Sequence, residues 1–384
     1  MRQVRDFMIR QLFEENPFVF SLLVLYALSF LIQMFYYWVW LSGIAFLGRR
    51  PAWENNKGVS VILCAKDDFH HLENNLSYIL SQNYPTFEVI VVNDNSVDES
   101  DLLLESLTKQ FSNLKVLRMN SSLNFFKGRK FPLSIGIRSA SYDTILLTEV
   151  DCKPASPYWI QRMMSAFDPS KEVVLGYHAY PATKGVWNKL IRYDHLFSAL
   201  RFLSFARRKY PFTGTVKNLA FKKSVVQHQK VLPDLYYITA GDDDLFINRI
   251  VNRKNTTLQL HPESFTISQP PKSFRGWTAL KGSENAGTAY IKLKHRWMLR
   301  GYVITQWLFF VLFILLIALF YSPLLVTTLF LLREISHAII IKYSSRKLNE
   351  RDLFLTSFAG ELFMLLINPI IVLAARTTKT TKWR

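Results

Sequence analysis

The sequence predicts an α/β protein with a mostly parallel sheet, flanked on both sides by transmembrane helices. Three observations predict it. Between residues 51 and 295, short apolar strands alternate with amphipathic helical stripes, the pattern of βαβ units. Long uncharged apolar runs lie before and after that region. Polar and acidic clusters recur at the carboxyl ends of the strands, where open α/β sheets bind their ligands. The chain thus divides into an N-terminal membrane segment (1–50), a globular domain (51–295) and a C-terminal membrane region (296–384).

The elements follow in order. From Asn16 to Gly48 no residue is charged, and Phe18–Leu41 is almost wholly apolar. A helix needs about 20 such residues to cross a bilayer. The run is much longer than a signal-peptide core of about 7–15 residues, and no small-residue cleavage site follows. Tyr36, Tyr37, Trp38 and Trp40 form an aromatic belt at its end, and Arg49, Arg50 and Pro51 close it. Val59–Cys64 reads as a buried strand, followed by the helical stripe Leu72, Leu76, Ile79 and Leu80. Phe87–Asn93, Leu114–Leu117 and Thr144–Val150 read as strands, and Arg129–Ala140 and Pro157–Phe167 as helices. Tyr302–Phe320 is a second uncharged run. Ser322-Pro323 interrupts it, and apolar sequence resumes to Ile341 with Arg333, Glu334 and His337 inside. Phe354–Ala375 is the last run. Residues 302–321 and 354–375 are the expected spans, while 324–341 either spans or lies in the interface. Arg333 and Glu334 read as an ion pair at a helix end or inside the bundle, with a functional intramembrane pair as the alternative.

Composition narrows the function. Aromatics reach 15%, charged residues only 20%, and Gly and Pro are few, which excludes collagen, low-complexity disorder and coiled coil. Two cysteines build no disulfide framework; Cys64 and Cys152 read as small, buried, reduced residues. The formal net charge of +18 points to a polyanionic partner, nucleic acid or anionic lipid. The basic residues cluster at span borders: Arg49 and Arg50, then Lys292, Lys294, Arg296 and Arg300. That placement suits membrane lipid headgroups. No basic readout element with interleaved aromatics is present, so no nucleic acid is expected.

The strand ends carry the chemistry. They read Cys64-Ala65-Lys66-Asp67-Asp68, Asn93-Asp94-Asn95-Ser96 and Glu149-Val150-Asp151-Cys152, with Gly214–Asn218 and Gly241–Asp244 downstream. Singly, each has an ordinary explanation as turn chemistry, a helix cap or an acidic helix start. Together they bring carboxylates to one sheet edge, where like charges need a cation or protons to coexist. Carboxylates without a His or Cys cluster favour Mg²⁺ or Mn²⁺. Glu149 and Asp151, two apart, face the same side of an extended chain. A metal–diphosphate site follows, with Arg129 and Lys130 as phosphate partners. A further carboxylate on a separate loop is free to act as a base.

In this order the motifs resemble those of the family 2 glycosyltransferases, which have the GT-A fold, Rossmann-like and mostly parallel, and particularly their membrane-anchored bacterial branch. The resemblance covers about residues 57–295. Val59–Asp68 is similar to the opening strand and loop, which implies nucleotide-sugar contacts at Ala65, Lys66 and Asp68. Asn93–Ser96 resembles an Asp-Asp-Gly-Ser turn, implying that Asp94 contacts the base. Gly128-Arg129-Lys130 resembles a Gly-Lys step beside the diphosphate. Glu149-Val150-Asp151 resembles Asp-x-Asp, implying Asp151 and Glu149 as metal ligands, with Glu149 also on the nucleotide-sugar side. Gly214–Ala220 resembles the acceptor-side segment, which implies Asn218 there, together with Asp242 and Trp277. Gly241-Asp242-Asp243 stands where the family has Gly-Glu-Asp, implying Asp243 as catalytic base.

Membership implies an inverting, metal-assisted transfer from a UDP- or GDP-linked sugar to a lipid-linked or glycan acceptor. It also implies a bacterial inner-membrane location with the catalytic domain in the cytoplasm. Two departures stand out. Glu149 replaces the first Asp, and Leu280–Glu284 lacks the Gln/Arg/His signature of processive synthases. A processive polysaccharide synthase is therefore the weaker alternative, beside a non-catalytic scaffold that kept the fold. Trp277 reads either as a sugar-stacking ring or as an interfacial aromatic.

Overall fold

The computed structural model describes residues 16–48, 53, 55–119, 129–228, 242–287 and 291–377. The first helix, α1 (Pro17–Ala45), is 29 residues long with a π-helical stretch at Tyr36–Leu41. Next come β1 (Val59–Ala65), α2 (Phe69–Leu80), β2 (Phe87–Asn93), α3 (Ser100–Gln110), β3 (Leu114–Arg118), α4 (Lys130–Ser139) and β4 (Thr144–Leu147). Then follow β5 (Lys153–Pro154), α5 (Trp159–Met164), β6 (Val173–Leu175), β7 (His178–Ala179) and the long α6 (Val186–Arg207). The domain ends with β8 (Leu219–Lys222), α7 (Lys223–His228), α8 (Asp242–Ile250), β9 (Thr256–Leu258), β10 (Thr266–Ile267) and α9 (Phe274–Gly287). Three more helices, α10 (Leu293–Ala318), α11 (Pro323–Lys347) and α12 (Ser357–Thr377), complete the chain.

The main sheet has the order β3-β2-β1-β4-β8-β6-β9. All its pairs are parallel except those of β8, which runs against both neighbours. Continuous apolar strands such as VSVILCA and FEVIVVN suit a sheet covered on both faces. The stripe Leu72, Leu76, Ile79 and Leu80 is buried against one face. A small second sheet, β5-β10-β7, lies beside it.

Strand β4 is shorter than expected. Its pairing with β1 ends at Ile62–Leu147, so Glu149, Val150 and Asp151 leave the ladder as a turn rather than extending the strand. That turn is fixed: Cys152 N–H donates to the Glu149 carbonyl at 3.0 Å, and Asn75 of α2 donates to the Val150 carbonyl at 2.9 Å.

The opposite face of the sheet shares one core with the membrane region. Ile62, Ile90 and Leu147 pack in a cluster with Leu196, Leu200 and Leu203 of α6, Leu41 and Ile44 of α1, and Ile340 and Ile341 of α11. At Gly43 a Cβ would stand 2.6 Å from the Ser204 carbonyl oxygen, so only glycine permits α1 to approach α6 this closely. The Ser204 hydroxyl donates to the Leu41 carbonyl across the same contact.

Helices α1, α10 and α11 are long and apolar enough to cross a membrane. Residues 324–341 therefore belong to a full-length candidate span. The basic segment 292–300 lies largely in the first turns of α10. Residues 354–375, expected as a span, lie largely in α12 (Ser357–Thr377), whose described residues are apolar over Ser357–Ile371. Phe363, Met364, Ile367 and Ile371 of α12 pack on Trp277, Tyr180 and Ile191 of the globular domain.

Arg333 and Glu334 sit inside the bundle, with Glu361 as a third member. Arg333 bonds both oxygens of Glu361 and reaches Glu334 at 2.6 Å. Gln306 and Tyr37 also donate to Glu361, and His337 Nδ1 lies 3.1 Å from it. Burial without these partners would be costly, so the network satisfies charges that water cannot reach.

Candidate active site

A cleft of about 1280 Å³ opens at the carboxyl ends of β1 and β4. That is where the strand order reverses, the position favoured for ligands in open α/β sheets. Lys66, Asp68, Arg129, Glu149 and Asp151 line it, together with Asp67, His70, His71 and Asp98.

The β1–α2 and β2–α3 loops are laced together. Asp67 takes the left-handed conformation (φ 53°). Its N–H donates to Ser96 Oγ at 3.0 Å, and its carboxylate accepts from Val97 N–H at 2.8 Å. Phe69 N–H donates to Asp98 at 2.9 Å, and Lys66 N–H to Asp68 at 3.1 Å. Burial raises the Asp68 carboxyl above its usual range. Asp94 is 1% exposed; its N–H donates to the Ala65 carbonyl and its carboxylate lies 3.6 Å from Lys66 Nζ. Ala65 is fully buried and contributes backbone only.

At the cleft floor, four charges alternate. Arg129 Nη1 bonds Glu149 Oε1. Lys217 Nζ lies 3.3 Å from Glu149 Oε2, 2.5 Å from Asp151 Oδ2 and 3.2 Å from Ser268 Oγ. Burial alone would raise the Glu149 carboxyl, but Arg129 and Lys217 outweigh it and hold the group down at about 2. Burial would lower the Lys217 ammonium, but Glu149 and Asp151 among its neighbours hold it well above the usual lysine range.

Lys217 is set by its backbone. It sits in a 3₁₀ turn, Val216–Asn218, capped by the Thr215 hydroxyl. Its carbonyl accepts from Thr148 and Thr266 at 3.0 and 2.9 Å. Cys64 and Cys152 are the expected free thiols; burial pushes the first up to about 12 and the second well above its usual value.

The structure brings together Lys66, Asp68, Arg129, Glu149 and Asp151 as the sequence suggests. It places others elsewhere. Lys130, at the start of α4, is 5% exposed while Arg129 lines the cleft. Asn218 is fully buried: it donates to the Tyr177 and Ser264 carbonyls at 2.8 and 2.7 Å and accepts from Trp159 at 3.1 Å. With its amide so committed, Asn218 joins β8 to the second sheet rather than offering atoms to an acceptor.

Trp277 is 1% exposed, donates to Asp194 at 3.1 Å, and packs among Trp187, Phe274 and Phe363. Its ring faces are covered, so neither sugar stacking nor an exposed interfacial role fits this arrangement. Lys281, from the stretch lacking the processive signature, pairs with Asp194 and Glu284 at 3.0 and 2.8 Å. Asp242 and Asp243 open α8, and their side chains lie outside the described residues, as does Gly128.

Lys217 is the residue that sequence reasoning passed over. It was visible in Gly214–Asn218, and a carboxylate pair at one sheet edge calls for a cation. The carboxylates of Glu149 and Asp151 at the floor match the preference of Mg²⁺ or Mn²⁺ for oxygen. A divalent ion held there would share them with Lys217 and Arg129. Among the described residues, three metal-capable side chains converge only at Glu334, His337 and Glu361, and Arg333 already fills that cluster.

Comparison with known proteins identifies the family and the fold. The model of glycosyl transferase family 2 matches residues 60–229. An uncharacterized glycosyltransferase of Haemophilus influenzae is 28% identical over 120 residues, 31% of this chain and 36% of its own. The probable glycosyltransferase YdaM of Bacillus subtilis is 22% identical over 255 residues, 64% of this chain and 59% of its own. The chain thus spans well under two thirds of either relative. A mannosyltransferase from Pyrobaculum calidifontis, solved with GDP-Man and Mn²⁺, superposes with a TM-score of 0.57 at 14% identity, covering 89% of this chain and 98% of its own. Residues 60–229 are a family 2 glycosyltransferase domain on the GT-A fold, carried by a chain with three helices fit to cross a membrane.

Proposed function

We propose that this chain moves a sugar from a UDP- or GDP-linked donor to a hydroxyl of a lipid-linked or membrane-proximal acceptor, with inversion and one sugar at a time. The observation that carries this is the alternating array Arg129–Glu149–Lys217–Asp151 on the floor of the cleft. It offers carboxylates to a divalent ion and cations to a diphosphate within one side chain's reach. The Pyrobaculum mannosyltransferase, solved with GDP-Man and Mn²⁺, supports the donor class. Asp94 and Lys66 form the base side. Arg129 orients the diphosphate, and Lys217 keeps Glu149 and Asp151 ionised and in register.

Glu149 and Asp151 would hold Mg²⁺ or Mn²⁺, which when bound neutralises the departing diphosphate as a Lewis acid. Asp243, at the start of α8, takes the proton from the acceptor hydroxyl as that oxygen attacks the face opposite the leaving group. Leu280–Glu284 carries Lys281, paired to Asp194 of α6 and to Glu284, in place of the Gln/Arg/His signature, which supports single transfer. The ends of α10 and α11 nearest the domain carry Lys294, Arg296, Lys342, Arg346 and Lys347, and Arg49 and Arg50 follow α1 in sequence, which supports a cytoplasmic catalytic face at the bacterial inner membrane.

Nucleotide-diphosphate release from a panel of nucleotide sugars, with Mg²⁺, Mn²⁺ or chelator, tests the reading. Asp243→Asn is expected to lose at least about 100-fold in rate, within the span typical of general-base loss, while still binding donor. Full rate in that variant removes Asp243 from the mechanism. Absence of donor binding at millimolar concentration favours the non-catalytic scaffold.

A further inference from the structure

A second, smaller groove of about 340 Å³ lies at the domain-side end of α11 and is lined by Lys342, Ser345, Arg346, Arg351 and Phe354. Three of its five lining residues are cations and none is acidic. The local sequence Asn349-Glu350-Arg351-Asp352 would be expected to neutralise itself, but the fold sorts its charges. Glu350 and Asp352 both turn to Arg192 of α6: Asp352 meets it at 2.6 and 2.8 Å, and Glu350 bonds it while accepting from Tyr177 at 3.2 Å. Arg351, between them, points into the groove. Among the described residues, no carboxylate pairs with Lys342, Arg346 or Arg351. Lys342 and Arg346 rest only against rings, Nζ 6.0 Å from the Phe354 centroid and the guanidinium carbon 6.0 Å from that of Tyr343.

Position selects the ligand. The groove begins at the last turns of a candidate span whose 25 residues rise about 37 Å, beyond a hydrocarbon core of about 30 Å and so toward the headgroup layer, and Phe354 adds an apolar wall beside the cations. A soluble polyanion would meet the cations but gain nothing from the apolar side. From this juxtaposition we propose that the groove is a binding site for the phosphate of an anionic membrane lipid, clasped by Arg346, Arg351 and Lys342 with its chains running down α11. Guanidinium forks suit phosphate oxygens, and basic pockets between spans recognise such headgroups. The Arg192 clamp fixes the groove against α6, so the bound headgroup seats the catalytic domain on the bilayer.

Native mass spectrometry of the 384-residue chain, released from nanodiscs of phosphatidylcholine with phosphatidylglycerol, tests this. The wild type is expected to retain phosphatidylglycerol. Lys342→Gln/Arg346→Gln/Arg351→Gln is expected to lose on the order of tenfold or more of that occupancy, while Lys292→Gln/Lys294→Gln retains it. Arg351→Gln alone, expected to lose part of it, serves where the triple variant fails to fold. Equal retention in wild type and variants overturns the proposal, as does displacement of the lipid by millimolar inorganic phosphate. Preferential retention of an added polyprenyl phosphate upholds it and names the lipid. None of these outcomes depends on sugar transfer.

Discussion

Lys217 decides most of what the cleft can do. Its ammonium touches both acidic groups of the floor, so Lys217→Gln removes a charge that any divalent ion must share them with. Mn²⁺ affinity, followed by the loss of the free-ion electron paramagnetic resonance signal, is expected to rise about tenfold, the size of one close charge contact at partly exposed sites. Asp151→Asn is expected to abolish that binding. Glu149 gives a second, pH-dependent outcome. Its folded-state pKa, about 2 against an ordinary 4.5, is depressed, so it contributes stability above about pH 4.5 that fades as pH falls toward 2. The linkage amounts to on the order of 2–3 kcal/mol. Glu149→Gln is therefore expected to flatten the fall in melting temperature between pH 5 and 3. The acidic members of this site were legible because they follow strands in sequence. Lys217 was not, since its partners lie 66 and 68 residues upstream and meet it only through the β4–β8 pairing.

At the scale of elements, periodicity located β1, β2, β3 and the stripe of α2 nearly to the residue, because each buries a pattern its own sequence carries. The end of β4 was misplaced: an apolar run reads on through Thr148 and Val150, whereas the β1–β4 ladder stops at Ile62–Leu147, three residues before β1 itself ends. The packing of α12 on the globular domain was hidden for a related reason. Hydropathy sees an apolar helix, and the aromatic surface that receives it comes from α6 and α9. Trp277 is the centre of that surface. Trp277→Ala is expected to cost about 3–5 kcal/mol, as large-to-small changes at fully buried aromatics do. Thermal melting in detergent measures it. A ring in contact with sugar would instead change KM for donor or acceptor without lowering the melting temperature, which separates the two roles.

The whole molecule is one body rather than a domain on a tether. The sheet's lower face, α6 and the domain-side ends of α1 and α11 share a single core, and Arg192 ties the turn after α11 to α6. The buried Arg333–Glu361 pair holds the bundle from within. Arg333→Met is expected to destabilise by about 3–5 kcal/mol because it strands Glu334 and Glu361 without a counter-ion. Arg333→Met/Glu361→Gln is expected to recover part of that loss, again by melting in detergent. The family 2 domain and the flanking apolar helices were legible from motif order and hydropathy. Continuity between the two regions was not, since it rests on contacts such as Gly43 against Ser204, between residues 161 positions apart. That contact turns the fold into a ruler. With α1 pressed onto α6 by a missing side chain, the cleft stands at one height above the lipid surface. On the function proposed above, an acceptor held in the bilayer would then be measured by the distance from its anchor to its reactive hydroxyl.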